Sequence, residues 1–241
     1  MLIAIVAEDD AHTRVARRLT DRRLCERVTW LADHDDLAPF RQWLPADRWF
    51  TRSQLAGGAT PRHLHGAFPG DPAALFAAKV FFGLEGLPQK PAAVIFCHDG
   101  DRAAREDGYR SARQGIPGKR GVRAWSFRIV LMVPNPEVEA WFIVLAGAAG
   151  AVPQAWRDDM RATLGFDPCR EPTRMTSTSG DRNRDVKVIW SALERSVPNA
   201  EQIALEAPWA AVDAVPDECG LRAFIADVDG ELVPLAGGPP G

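Results

Sequence analysis

Lysine, tyrosine and closely spaced cysteines are scarce in this sequence. Lysine occurs at four of the 241 positions and tyrosine at one, so nearly all of the 29 basic residues are arginines. The four cysteines form no CxxC pair, which argues against a zinc knuckle or a disulfide framework and indicates reduced thiols. No apolar run reaches the roughly 20 residues of a membrane-spanning helix. We therefore predict a cytoplasmic protein without a membrane segment.

A large excess of one charge sign is also absent. The chain has 29 basic and 32 acidic residues, a net charge of −3 and a pI near 6.0. These values exclude a uniformly basic nucleic-acid coat and an acidic disordered protein. With 46% hydrophobic and 25% charged residues, the composition is that of a globular protein with its own core. The near-neutral total hides an asymmetry, because residues 101–130 are predominantly basic and residues 194–241 predominantly acidic.

Strand and helix patterns alternate through the first 150 residues. Continuous apolar runs predict strands at 2–7, 28–31, 91–97 and 127–133. Helical spacing of apolar residues, or an Asp or Asn followed by proline, predicts helices at 11–25, 71–82, 102–113 and 135–145. This alternation predicts an α/β fold, with a Rossmann-like parallel sheet and helices on both of its faces.

The rest of the chain departs from this alternation. Residues 33–70 are irregular and rich in Trp, Pro, Gly and His, which predicts an insertion, and residues 114–123 have the composition of a loop. From residue 151 onward the pattern is mainly helical. We predict an α/β domain at 1–150, a helical extension packed on it at 151–236 and a disordered tail at 237–241.

Carboxylates follow three of the four predicted strands. Glu8 follows the first strand, Asp99 and Asp101 follow the third, and Glu137 and Glu139 follow the fourth. The carboxyl ends of parallel strands meet at one edge of a sheet, so we expect these acids together there. Like charges in one place raise one another's pKa unless a cation neutralises them, and Mg²⁺ prefers such oxygen ligands. The alternative is that each acid caps the helix that follows it.

These motifs resemble the Toprim domain of topoisomerases, primases and related nucleases. That domain has a Glu after its first strand, an Asp-x-Asp after a later strand and a further acid beyond. The segment Pro134-Asn-Pro-Glu-Val-Glu-Ala-Trp-Phe142 is similar to the Glu-Ala-Trp block of a Toprim-like family whose members are often encoded beside ATPases in phage-defence loci. The segment from Cys219 to Ile225 resembles that family's C-terminal helix. Asp9 is a departure, because Toprim domains usually have glycine at this position.

The resemblance implies roles for individual residues. Glu8, Asp99, Asp101 and Glu139 would be ligands for Mg²⁺ or Mn²⁺, with Glu137 as a substitute for Glu139, and the first three would also be the catalytic carboxylates. Lys187 would stabilise a phosphoryl transition state, as a lysine does in some Toprim nucleases. The alternative for this lysine is a surface position on an amphipathic helix.

A basic segment supplies candidate contacts to nucleic acid. Arg102 lies at the start of a predicted helix, and Lys119, Arg120 and Arg123 lie in the predicted loop at 114–123. Backbone amides and guanidinium groups in such a loop can bind phosphates. The alternative is a solvated basic face of an arginine-rich protein.

These features predict a Mg²⁺-dependent Toprim-type nuclease that cleaves phosphodiester bonds in nucleic acid. DNA is favoured over RNA, and the resemblance implies a role in anti-phage defence with an ATPase partner. The alternative is a non-catalytic Toprim-like subunit that senses or regulates within an ATPase-containing complex. In that case the aromatic insertion and the acidic C-terminal region would be interaction surfaces. A homo-oligomer is compatible with either function.

Overall fold

The computed structural model describes most of the chain, in two compact units. The described residues are 1–32, 37, 40–44, 64, 66–100, 103–118, 121–177 and 182–237. The first unit comprises residues 1–97, 102–131 and 227–241, and the second comprises residues 98–101 and 132–226. Most of the predicted insertion at 33–70 and residues 238–241 of the predicted tail lie outside the described residues.

The chain passes through strands and helices up to residue 148 and through helices after it. The described strands are β1 (Leu2–Val6), β2 (Gln42–Leu44), β3 (Ala93–Cys97), β4 (Ile116–Gly118), β5 (Gly121–Arg123) and β6 (Arg128–Met132). The first helices are α1 (Asp10–Arg27), α2 (Thr29–Ala32), α3 (Pro72–Glu85), α4 (Ala103–Arg113), α5 (Val138–Ala148) and α6 (Gln154–Leu164). The later helices are α7 (Val186–Ser196), α8 (Ala200–Leu205), α9 (Trp209–Asp213), α10 (Leu221–Asp227) and α11 (Val233–Ala236). Among the described residues, no helix is both long enough and apolar enough to cross a membrane.

Four parallel strands form the sheet of the first unit, in the order β2-β1-β3-β6. In the register of β1, Ile3 lies opposite Trp43 of β2 on one side and opposite Ala93 of β3 on the other. All five residues of β3 are buried, as expected for a central strand in a sheet that helices cover. The predicted α/β fold, a parallel sheet flanked by helices with further helices toward the C-terminus, is confirmed.

Two aspartates fix where helices of the first unit begin. Asp9 is the N-cap of α1 and accepts a hydrogen bond from the His12 N–H at 3.0 Å. Asp71 is the N-cap of α3 and accepts from the Ala74 N–H at 2.8 Å, and Pro72 occupies the first turn of that helix. Each side chain satisfies a backbone donor that the helix itself leaves without a partner.

Two local predictions are wrong. Residues 28–31 do not form a strand, because the Val28 N–H bonds to the Leu24 carbonyl at the end of α1 and the next residues turn into α2. A four-residue apolar run is too short for its periodicity to separate strand from helix. The second strand of the sheet is β2, within the predicted insertion. The predicted loop at 114–123 contains the antiparallel pair β4 and β5, with Gly118 opposite Gly121.

Acidic residues near the C-terminus are bound to arginines of the first unit. Asp229 accepts two hydrogen bonds from Arg23, at 2.7 and 2.5 Å. Arg113 donates to Asp227 at 2.6 Å and to Glu231 at 2.7 Å. Burial would lower the pKa of Arg113, but these two carboxylates raise it above its usual value. The three acids therefore bind the end of the chain to the first unit and are engaged within the molecule.

Asp21 on α1 is a largely buried carboxylate among arginines. Its Oδ2 lies 2.6 Å from an Nη of Arg41, whose guanidinium lies 4.6 Å from the ring centroid of Trp43. Burial raises the pKa of Asp21 to about 6, although the charges of Arg41, Arg18 and Arg17 oppose the increase. The folded protein therefore binds this proton more readily than the unfolded chain does, and ionised Asp21 costs stability at neutral pH.

Acidification is expected to stabilise the wild-type protein relative to Asp21→Asn. A carboxyl whose pKa is 3.8 unfolded and about 6 folded adds stability at low pH that is lost as the pH rises through 6. The difference in unfolding free energy between the two proteins should change by about 2 kcal/mol between pH 4.5 and 7.5. Urea unfolding at a series of pH values measures it, with Glu26→Gln on the same helix as the control for an exposed carboxylate. Parallel pH profiles for wild type and Asp21→Asn would contradict this account.

Candidate active site

The chain that follows β3 continues to pair with the chain that follows β6. The His98 N–H donates to the Met132 carbonyl at 3.0 Å, and the Gly100 N–H donates to the Pro134 carbonyl at 2.6 Å. A Cβ at Gly100 would lie 3.0 Å from that carbonyl oxygen, so glycine permits the close approach. Asp99, between these two hydrogen-bonded residues, is partly exposed at the end of the strand.

A turn late in the sequence holds the residues before and within α5. The Cys219 carbonyl accepts two hydrogen bonds, from the Asn135 N–H at 3.1 Å and from the Trp141 indole N–H at 2.6 Å. Trp141 is completely buried. Gly220 has a φ of +81°, and a Cβ there would collide with the Val133 carbonyl, so a side chain is excluded. The two segments that carry the family resemblance are thus bonded to each other.

Glu137 occupies the N-cap position of α5 but does not cap the helix with its side chain. Its Oε2 instead lies 2.9 Å from the Lys187 ammonium, and the Glu137 side chain is 10% exposed against 62% for the lysine. Lys187 lies in the first turn of α7 because Asp185 caps that helix, accepting from the Lys187 N–H at 2.9 Å. The side chain of Glu137 is therefore used for an ion pair, contrary to the helix-cap alternative.

Asp99 and Glu139 lie close enough to this ion pair to change its electrostatics. Burial raises the pKa of Glu137 above its usual value; Lys187 opposes this increase, and the negative charges of Asp99 and Glu139 add to it. The hydrogen bond to Glu137 raises the pKa of Lys187 against the effect of burial, and the charges of Glu137, Glu139 and Asp99 raise it further. We call Asp99, Glu137, Glu139 and Lys187 the carboxylate–lysine cluster.

The chemistry of the cluster suits a hard divalent cation. Three of its four members are carboxylates, and carboxylate oxygens are the ligands that Mg²⁺ prefers. Within the described residues, however, no three His, Cys, Asp or Glu side chains are arranged to hold a metal ion. Asp101, the second member of the predicted metal-binding pair, lies outside that part of the chain. The donor set fits Mg²⁺ in the type of its ligands, and Glu137 is held by the lysine.

The acids that follow β1 belong to the first unit. Glu8 is exposed, and its role as a ligand and catalytic residue stays a prediction. Asp9 accepts from the main-chain N–H of His12 and also lies 2.8 Å from the His12 ring Nδ1. Burial would raise the pKa of Asp9, but these hydrogen bonds lower it below its usual value. The helix-cap alternative is confirmed for Asp9.

Most described arginines of the basic segment face a carboxylate. Arg110 donates to Glu106 at 3.0 and 2.5 Å, and Arg123 of β5 lies 3.7 Å from Glu85 with 57% of its side chain exposed. The predicted phosphate-binding residues Arg102, Lys119 and Arg120 lie outside the described residues. The predicted nucleic-acid contacts in this segment stay predictions.

No family model, no curated protein and no solved structure matches the chain at a significant level. The Toprim resemblance therefore stays a prediction that depends on the residues quoted for it. Of the predicted site residues, Asp99, Glu139 and Lys187 come together.

The sequence alone favours Glu139 over Glu137 as a site residue. Glu137 is the more buried of the two glutamates in the Pro-Glu-x-Glu-Ala-Trp block, and it bonds directly to Lys187. Glu137 and Glu139 are separated by one residue at the start of a helix, and the sequence does not show which of them binds a positive charge. The partner of Glu137, Lys187, lies 50 residues later, so no local pattern identifies the pair.

Glu137 and Lys187 are expected to be energetically coupled. Lys187→Met leaves a buried carboxylate facing Asp99 and Glu139 without its counter-charge, so it should lower the unfolding free energy by about 2 kcal/mol at pH 8. Glu137→Gln removes the charge that the lysine compensates. The double variant should therefore lose about 1 kcal/mol less than the sum of the single variants. Chemical unfolding measures all four proteins, with Lys90→Met as the control for an exposed lysine. Strict additivity would show that the ion pair has no energetic role.

Proposed function

We propose that this protein hydrolyses phosphodiester bonds in nucleic acid with Mg²⁺ or Mn²⁺ as its cofactor. The observation that carries the proposal is the carboxylate–lysine cluster, where three acids lie near one another and beside the exposed side chain of Lys187. Such hydrolysis needs oxygen ligands that hold a divalent cation. It also needs a positive group that stabilises the negative charge developing on the phosphoryl oxygens. The resemblance to Toprim domains supports the same reaction, with DNA favoured over RNA as the substrate.

Each residue of the cluster has a distinct task in this reaction. Asp99 and Glu139 would hold the cation, and Glu8 and Asp101 are the further ligands that the Toprim resemblance implies. The chemistry that the bound cation supplies is polarisation of the phosphoryl oxygens. Lys187 places its ammonium where it can bind an anionic oxygen of the substrate. Glu137 positions that lysine, and so acts through it.

Asp99→Asn and Glu139→Gln are expected to reduce cleavage at least a hundredfold without unfolding the protein. Each removes one charged cation ligand and keeps the size of the side chain, so the fold should be retained. Nicking of a supercoiled plasmid in Mg²⁺ or Mn²⁺ measures the loss, and circular dichroism verifies the fold. Glu194→Gln is the matched control, because Glu194 is an exposed acid on the same helix as Lys187. Its activity should equal that of the wild type.

The role of Glu8 is tested in the same assay. Glu8→Gln should reduce cleavage if the acid after β1 acts in the reaction. Asp9→Asn is the variant for comparison, because asparagine retains an acceptor for the N-cap of α1. Undiminished cleavage by an Asp99→Ala, Glu8→Ala double variant would contradict the proposed function. Calorimetric titration of the wild type with Mg²⁺ reports cation binding separately from cleavage.

The second candidate function is a non-catalytic subunit of an ATPase-containing complex. The observation in its favour is that no three potential metal ligands converge within the described part of the chain. Of the C-terminal acids expected to form an interaction surface for this function, Asp227, Asp229 and Glu231 are instead bound to arginines of the first unit. An absence of cation binding at millimolar concentration, together with no cleavage, would favour the non-catalytic subunit.

A further inference from the structure

Lys187 places a positive charge among the carboxylates that are proposed to hold a cation. Its Nζ lies 2.9 Å from Oε2 of Glu137, whose side chain is 10% exposed. Glu139 follows two residues later, in the first turn of α5. The charges of Glu137, Glu139 and Asp99 all raise the pKa of Lys187, so all three act on the ammonium. A divalent cation at these acids would therefore interact with the lysine as well.

Backbone contacts fix Asp99 close to the start of α5. The N–H of the next residue, Gly100, donates to the Pro134 carbonyl at 2.6 Å, and a Cβ at Gly100 would lie 3.6 Å from the Asn135 Cβ. Asn135 comes two residues before Glu137. These contacts do not involve the Glu137 side chain, so a change of its charge should leave Asp99 in place.

The two partners of the ion pair are expected to act on a bound cation in opposite directions. A like charge repels the cation and an unlike charge attracts it, and both effects are stronger near buried groups than in bulk water. Lys187 should therefore weaken cation binding at Asp99 and Glu139, and Glu137 should strengthen it without being a ligand. Other interactions of Asp99 and Glu139 are common to the wild type and to variants of the ion pair, so they do not enter the comparison.

We propose that Lys187, held by Glu137, keeps the affinity of Asp99 and Glu139 for a divalent cation low until an anionic phosphate binds beside the lysine. This inference rests on the proposed function and adds regulation to its site. A phosphate at the ammonium, whose side chain is 62% exposed, compensates the positive charge and offers the cation further oxygen ligands. Because the two binding free energies are linked, cation and phosphate increase each other's affinity by the same factor. The cation is therefore bound together with the substrate.

Calorimetric titration of the full-length protein with Mn²⁺ tests these charge effects without cleavage. Lys187→Met removes the repelling charge and should lower the Kd for Mn²⁺ roughly threefold to tenfold. Glu137→Gln removes an attracting charge and should raise the Kd by a similar factor. The double variant loses one charge of each sign, so its Kd should lie between those of the single variants and close to that of the wild type.

A control and a structural alternative make this titration decisive. Arg195→Gln is the matched control, because Arg195 is an exposed residue in the last turn of α7, the helix that carries Lys187 in its first turn. Its Kd should equal that of the wild type, and circular dichroism verifies that each variant is folded. If the ion pair had only a structural role, the Kd would rise in both single variants and in the double variant. That result, or equal Kd values throughout, would overturn the proposal.

A phosphate without a phosphodiester bond tests the coupling to substrate. Thymidine 5′-monophosphate at saturating concentration should lower the wild-type Kd for Mn²⁺ at least about threefold, after correction for Mn²⁺ bound by the free nucleotide. The gain should be smaller in Lys187→Met, because that variant has no positive charge for the phosphate to compensate. An equal gain in the two proteins would overturn the coupling.

The outcome for Lys187 is distinguishable from the outcome for the proposed function. The expected order of Kd values without cleavage of a plasmid would overturn the nuclease and support the control of cation affinity by the ion pair. Cleavage by a wild-type protein whose Kd for Mn²⁺ equals that of Lys187→Met would support the nuclease and overturn this control. An absence of Mn²⁺ binding at millimolar concentration in the wild type and all variants would overturn both.

Discussion

The burial of one carboxylate governs how the second unit is arranged. Glu137 begins α5 with its side chain turned away from the helix cap, so its negative charge needs a counter-ion in a poorly solvated place. Lys187 supplies it, and this requires α7 to begin where Asp185 caps it. The Cys219 carbonyl in turn fixes the chain before α5. The position of the candidate site follows from these requirements together.

Patterns of neighbouring residues predicted the elements of this fold well, and long-range contacts explain what they missed. Apolar runs located β1, β3 and β6, because a strand buried on both faces must be continuously apolar. The three-residue β2 has no such signal, since its place is set by pairing with β1. The rule that functional acids follow strands correctly brought Asp99 and Glu139 together as neighbours. The partnership of Glu137 with Lys187 depends on two helices meeting, which spacing along the chain does not encode.

Part of the charge asymmetry along the sequence is neutralised within the first unit. Residues 227–241 of the acidic region belong to that unit with most of the basic segment, and Arg113 there binds Asp227 and Glu231. Counting charge along a segment therefore overstates the positive surface there. Arg174 and Arg184 show the opposite case, because the segment that carries them has a modest net charge and yet both guanidinium groups lie at the Phe166 ring. Affinity for an anion depends on such local geometry more than on the total charge.

The double hydrogen bond at the Cys219 carbonyl has a consequence for how this sequence can diverge. A main-chain oxygen is present whatever residue occupies position 219, so substitution there leaves both bonds in place. The indole donor and the shape of the turn, by contrast, depend on particular residues. The donor requires Trp141, and the turn requires glycine at position 220 because a Cβ there would collide with the Val133 carbonyl. Relatives of this protein should therefore retain both residues, each for its own reason, and an insertion near either position should be rare.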